Sequence, residues 1–272
     1  MSVQPSASGT AGGQLRRFDR GLLLPAVLVV AAGAWLLLVL GSGHVVGPAH
    51  EGHVPGGHVH GATASAGTGA LTSAGLIGWF LMVVAMMLPP ALPLLRMLQR
   101  LVARHRSRQA LVLSGVASFL AVWMLLGVLL VTGDSILTAL TEGTWRPAPQ
   151  VLVGGVLLLA GAFQLSPLKS RCLIACRSPR SFAVAHWHGE RHPAIESAAI
   201  GAAYGASCVG CCWALMLVCF AGGTAHLATM VPLTVLMTAE RMTPFGTKLV
   251  RPIGVAALAT GAALLAVPLL GT

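Results

Sequence analysis

Ala110-Leu-Val-Leu-Ser-Gly-Val-Ala-Ser-Phe-Leu-Ala-Val-Trp-Met-Leu-Leu-Gly-Val-Leu-Leu-Val131 carries no charge. Wound as a helix it is long enough to cross a bilayer core, for which about 20 apolar residues suffice. The rest of the chain has the same character. Of 272 residues, 56% are hydrophobic and 9% charged, and the mean hydropathy is +0.82; ordinary soluble domains carry about 25% charged residues. A soluble enzyme is excluded on that ground. Gly 33 and Pro 16 are plentiful, which membrane helices tolerate because neighbouring helices and cavities satisfy the freed backbone groups. Aromatics at 5%, without a train of alternating ten-residue segments, give no support to a β-barrel. The fold class that remains is all-α: a polytopic membrane helix bundle.

Further apolar runs lie at about 22–40, 74–95, 150–165, 197–221, 225–240 and 252–270, making about seven transmembrane helices with the first. Their loops carry a strongly one-sided charge. Arg16, Arg17 and Arg20 precede the first run; Arg96, Arg100, Arg104, Arg106 and Arg108 follow the second; Lys169, Arg171, Arg177, Arg180 and Arg191 follow the fourth; Arg241, Lys248 and Arg251 follow the sixth. Only Arg146 falls on the other side. Cytoplasmic loops hold the excess Lys and Arg, so the N-terminus is expected in the cytoplasm. The net charge of +10 is therefore read as topology, and no nucleic-acid partner is expected. The first run is longer than a signal-peptide core and reads as a retained anchor. The expected organisation is a cytoplasmic tail (1–20), a membrane anchor (21–40), a flexible His-rich outer loop (41–73) and a six-helix metal-binding membrane domain (74–272).

The chemistry concentrates in Tyr204-Gly-Ala-Ser-Cys208-Val-Gly-Cys211-Cys212-Trp-Ala-Leu-Met216. On a helix, Cys208, Cys211 and Cys212 share an arc of about 100°, with Cys219 on the same side and Met216 at its edge. Thiolate and thioether ligands suit soft ions, so a transition metal is expected, copper(I) first, with zinc or iron as alternatives. Close packing of small residues is the structural alternative for such a face. One helix cannot complete a coordination shell. Met86 and Met87 in the second run, with Met82 one turn earlier, lie at a comparable depth just before Pro89-Pro90, which should break or kink that helix. In the sixth run His226, Met230 and Met237 share a face, with His226 near the outer mouth.

Cys172 and Cys176 form a second pair in the loop after the fourth run, four residues apart and flanked by Lys169, Arg171, Arg177 and Arg180. Cytoplasmic reduction argues against a structural disulfide there, and the cations either favour thiolate or anchor the loop to lipid. The outer loop holds His44, His50, His53, His58 and His60, a low-affinity metal-collecting tract or a merely solvated one. Absences narrow the mechanism. No Gly-x4-Gly-Lys-Ser/Thr loop serves a nucleotide. Asp134, Glu142, Glu196 and Glu240 sit at or beyond the span ends, so no carboxylate relay is visible.

Met82-Val-Val-Ala-Met86-Met87-Leu-Pro89, Phe163-Gln-Leu-Ser-Pro-Leu-Lys169 running into Cys172, Cys176-Arg177-Ser-Pro and Phe182, His186-Trp187, Gly189, the stretch Gly201 to Met216 and Glu240-Arg241 together resemble the bacterial family of predicted metal-binding integral membrane proteins. The resemblance runs from the second span to the seventh. It implies a multi-pass protein of the bacterial cytoplasmic membrane, with Cys172, Cys176, Cys208, Cys211, Cys212 and Met216 as functional positions. Phe163 stands where the family usually has Tyr, His226 where Asn is common, and the His-rich loop is an addition.

Three readings fit these residues. In the first, the protein handles copper(I) for transport, storage or delivery through Cys208, Cys211, Cys212 and Met216 facing Met86 and Met87; Cys172 and Cys176 exchange the metal at the cytoplasmic surface, and His226 and the outer loop collect it. In the second, the chain is the membrane subunit of a metal-dependent oxidoreductase acting on a small apolar substrate or quinone. In the third, it is a thiol-active accessory factor that passes metal to a copper enzyme or receives it from a metallochaperone.

Overall fold

The computed structural model describes residues 8–43, 68–140, 148–189, 191–221 and 226–270, and every regular element among them is helical. The order is α1 (Ser8–Gly43), α2 (Thr68–Met87), a 3-10 turn (Pro89–Ala91), α3 (Leu92–Leu101), α4 (Arg108–Leu140), α5 (Pro149–Gln164), α6 (Pro167–Arg177), α7 (Pro179–His186), α8 (Pro193–Ala221), α9 (His226–Met242) and α10 (Gly246–Leu270). The expected tail and anchor form one helix in α1, and α2 begins several residues before the apolar run from which it was read.

Among the described residues, four segments are long and apolar enough to cross a membrane: Leu23–Gly41, Arg108–Ile136, Pro193–Cys219 and Gly246–Ala266. Two more spans result if each of two bent pairs is one crossing, Gly75–Met87 with Pro89–Leu101 at 49° and Gln150–Gln164 with Pro167–Arg177 at 68°. Both bends have a local cause. Pro89, Pro90 and Pro167 lack the N–H that would continue the ladder, and a proline ring clashes with the carbonyl four residues back. At the second break, Ser166 restarts the helix, its Oγ accepting from the Lys169 N–H at 3.2 Å, an ordinary N-cap. The run expected as a sixth span is the 17-residue α9, which carries Pro232.

Glycines let the long helices meet backbone to backbone. A Cβ at Gly201 of α8 would collide with the Gly115 carbonyl of α4. Where α5 crosses α10, a Cβ at Gly161 would come within 2.8 Å of the Gly254 oxygen, and one at Gly261 within 2.8 Å of the Gly154 oxygen. Small residues at crossings are how membrane helices gain dispersion contacts, since lipid gives them no hydrophobic drive to associate. Large apolar side chains face outward in numbers, among them Val29, Leu36, Leu113, Leu125, Leu129 and Val255. That surface is compatible with membrane insertion. Inside, α2, α4, α6, α8 and α9 contribute to one buried core that contains most of the sulfur.

Candidate metal centre

Within α8, Cys208, Cys211 and Cys212 point into the core at 0%, 1% and 2% exposure, as their helical spacing demands. Cys211 Sγ lies 3.2 Å from Cys212 Sγ and donates to the Cys208 carbonyl at 3.2 Å. A fourth thiol arrives from another element. The bend before α6 folds that helix across α8, and Tyr204 Oη of α8 donates to the Cys176 carbonyl at 3.0 Å. Cys176 Sγ then stands 3.7 Å from Cys211 Sγ. Cys172, one turn earlier, is only partly buried and lies over Gly210, where a Cβ would come within 2.7 Å of its sulfur. The pair that the sequence set apart at the cytoplasmic surface is therefore divided. Cys176 is buried with the α8 thiols, and Cys172 stays at their margin.

The thiols share a cation. Arg241 of α9 is 6% exposed, and its Nη2 donates to Cys208 Sγ at 2.6 Å, with Cys176 Sγ at 3.4 Å and Cys211 Sγ at 3.5 Å. It makes no ion pair with a carboxylate among the described residues, and its Nε and Nη1 have no hydrogen-bond partner among them. Its neighbour Glu240 is engaged elsewhere on both oxygens. One carboxylate oxygen accepts from Lys169 Nζ at 2.7 Å, with both side chains buried, and the other accepts from Gln164 Nε2. Arg177 Nη1 donates to the Glu240 carbonyl at 2.5 Å. The Trp123 ring is wholly buried in the same core, its indole N–H directed at the Cys208 thiol.

Lys169, Glu240 and Arg241 were expected at span ends as loop charges; they are instead core residues that reasoning from the sequence missed. The signal available was the Glu240-Arg241 pair among the residues of the family resemblance. Glu196, also expected at a span end, is buried and accepts from the Gly189 and Arg191 N–H groups.

Methionines complete the surroundings. Met86 and Met87 end α2 at the proline break and are wholly buried, as are Met216 on α8 and Met230 on α9, with Met82, Met237 and Cys219 in the same core. These side chains offer thioether and thiol sulfur and little oxygen, a donor set that suits a soft, thiophilic ion. Among the described residues no group of three or more His, Cys, Asp or Glu side chains is arranged to hold a metal ion; the common focus of Cys176, Cys208 and Cys211 is Arg241 Nη2. The His226 side chain, and His44, His50, His53, His58 and His60, lie outside the described residues.

Residues 76–264 match the family described as PpoB2, copper chaperone. The match takes in α2 to α10 up to residue 264, and with them every thiol and the Arg241 network. Comparison with curated proteins and with solved structures finds no match.

Proposed function

Because the chain belongs to the PpoB2 copper chaperone family, we propose that it is a membrane-embedded carrier of copper(I), which it holds through intramembrane thiols and passes to a client copper enzyme or metallochaperone. The observation that carries this reading is the meeting of four thiols from two helices, Cys176 with Cys208, Cys211 and Cys212, in a core otherwise furnished with methionine. Copper(I) prefers such ligands, and thiolate-to-thiolate exchange moves it without a free ion. Met86, Met87 and Met216 supply thioether donors around the thiols. Cys172, partly exposed, is the point of transfer.

The proposed topology places the protein in the bacterial cytoplasmic membrane with its N-terminus inside. Four long spans, two bent pairs and the short α9 make seven crossings. Setting aside Lys169 and Arg241, which are buried, the remaining loop cations still lie on one side with only Arg146 opposite, as the positive-inside rule requires. In this arrangement the His-rich segment and His226 face outward and serve as a loose collector. The family's description favours delivery over an oxidoreductase role.

The test is elemental analysis of the tag-free protein, purified anaerobically in mild detergent and offered copper(I), beside the Cys211→Ser, Cys212→Ser double variant. Near-stoichiometric copper in the parent and little in the variant is expected. A parent that holds no copper, or a variant that holds as much, overturns the reading.

A further inference from the structure

We infer that Arg241 is the counter-cation of the cargo: the site takes copper(I) between two thiolates, and the guanidinium at their focus yields its place to the ion while neutralising the anionic complex that forms. The inference rests on the copper reading above and adds to it a role for a residue that is not itself a ligand.

The argument is one of charge in a dry core. Lys169 and Glu240 pair with each other and cancel. Glu240 is engaged by Lys169 and Gln164 and makes no ion pair with Arg241 among the described residues. Arg241 is thus a buried positive charge whose hydrogen-bond partners, among the described residues, are sulfur atoms from α6 and α8. Guanidinium is permanently charged, so burial cannot be relieved by neutralising it. An unpaired charge in a low-dielectric interior is among the costliest features a protein can keep, and its position here points to a negative group supplied by the thiols.

Copper(I) bound by two thiolates carries one negative charge, which the guanidinium cancels. With one thiolate and a thioether the complex is neutral and the arginine charge stays exposed to the core; with three thiolates there is one negative charge too many. The geometry allows the exchange. Nη2 stands among the sulfurs of Cys176, Cys208 and Cys211, where an ion held by two of them would lie, while Nη1 and Nε have no partner among the described residues and can donate to the thiolates once Nη2 is displaced. A purely structural arginine would be expected to use its donors on carbonyls or carboxylates.

Two measurements on the full chain in detergent test this. X-ray absorption at the copper edge of the unsubstituted, copper(I)-loaded protein should give two thiolate sulfurs; a copper with one thiolate, or with three, overturns the charge match whatever the variants do. Competition for copper(I) against a chromophoric chelator should show Arg241→Gln weakened by about a hundredfold or more, the loss expected when a buried charge loses its partner, and Arg241→Lys restored to within about tenfold of the parent. Equal affinity of Arg241→Gln and the parent, or equal weakening in both variants, overturns the inference. These outcomes leave the copper reading standing, because that reading fails only if the parent binds no copper or the Cys211, Cys212 double variant retains it.

Discussion

Replacing Glu240 by Gln should be the most damaging single isosteric change in the protein, and the reason is local. The carboxylate accepts from Lys169 on one oxygen and from Gln164 on the other, and all three side chains are buried. A glutamine has one acceptor oxygen, so if that oxygen keeps Lys169 its NH2 faces the Gln164 amide, which must flip to offer its own oxygen. The change also leaves Lys169 and Arg241 as two buried cations without a carboxylate. Removing one partner of a buried ion pair typically costs about 3–5 kcal/mol. For a chain of this size each kcal/mol moves the unfolding midpoint by roughly 2–4 °C, so the midpoint should fall by roughly 6–20 °C. Thermal unfolding in detergent, followed by the fluorescence of tryptophans that include the buried Trp79 and Trp123, reads this directly. The decisive comparison adds Lys169→Met. Breaking a pair is far worse than replacing it with neutral groups, so the Lys169→Met, Glu240→Gln double variant should recover at least half of the loss. An Glu240→Gln variant within about 1 kcal/mol of the parent, or a double variant no better than the single one, would refute the claim that this pair is desolvated and coupled.

Two other expectations concern packing and thiol access. Gly201→Leu should abolish recovery of monodisperse protein, because a side chain there meets the Gly115 carbonyl, whereas Gly33→Ala, with nothing within 4 Å of the added carbon, should fold normally; equal yields from size-exclusion chromatography would show that the α4–α8 contact is looser than described. Cys172 is only partly buried while Cys176, Cys208, Cys211, Cys212 and Cys219 are buried, so a maleimide should modify one thiol quickly in the native protein and six after denaturation. Two or more fast thiols, counted by intact mass, would contradict the burial of Cys176.

The features legible in the sequence were those set by local pattern. Apolar run length gave an all-helical bundle with apolar spans, and Pro89-Pro90 gave the break at the end of α2, because a missing N–H acts on its own helix. The sulfur face of α8 followed from a 3.6-residue period. The Cys176 contact, by contrast, depends on a 68° bend after α5 and on a hydrogen bond from Tyr204, 28 residues away; neither is encoded in the spacing of Cys172 and Cys176. Lys169, Glu240 and Arg241 were misplaced for a related reason. Hydropathy assigns a charge near a span end to the loop, and only a partner 71 positions distant makes it cheaper to bury Glu240 than to expose it. A charge can be read as core from sequence only when its counter-charge is also in view.

The two helix breaks bear on how a buried ion could leave. An unbroken bundle holding copper(I) among wholly buried sulfurs would store it well and release it slowly. Here both bent pairs flank the thiols: Met86 and Met87 sit at the end of α2 just before its break, and Cys176 lies near the far end of α6, the segment that follows the other. Segments joined through a proline-broken ladder tilt at less cost than a continuous helix, since the prolines leave fewer ladder hydrogen bonds across the joint. On the proposed reading, a small tilt of α6 about Ser166-Pro167 would carry Cys176 away from Cys211 while Cys208, Cys211 and Cys212 stay fixed on α8, and Cys172 lies one turn of α6, about 6 Å, nearer the hinge. Along α8 the sulfur continues the other way, from Cys208 past Met216 to Cys219, about 16 Å of rise and half the thickness of the hydrocarbon core. On that reading, an α8 face that holds the ion and an α6 face that draws it off would divide retention from release between two elements, a division that delivery needs and storage does not.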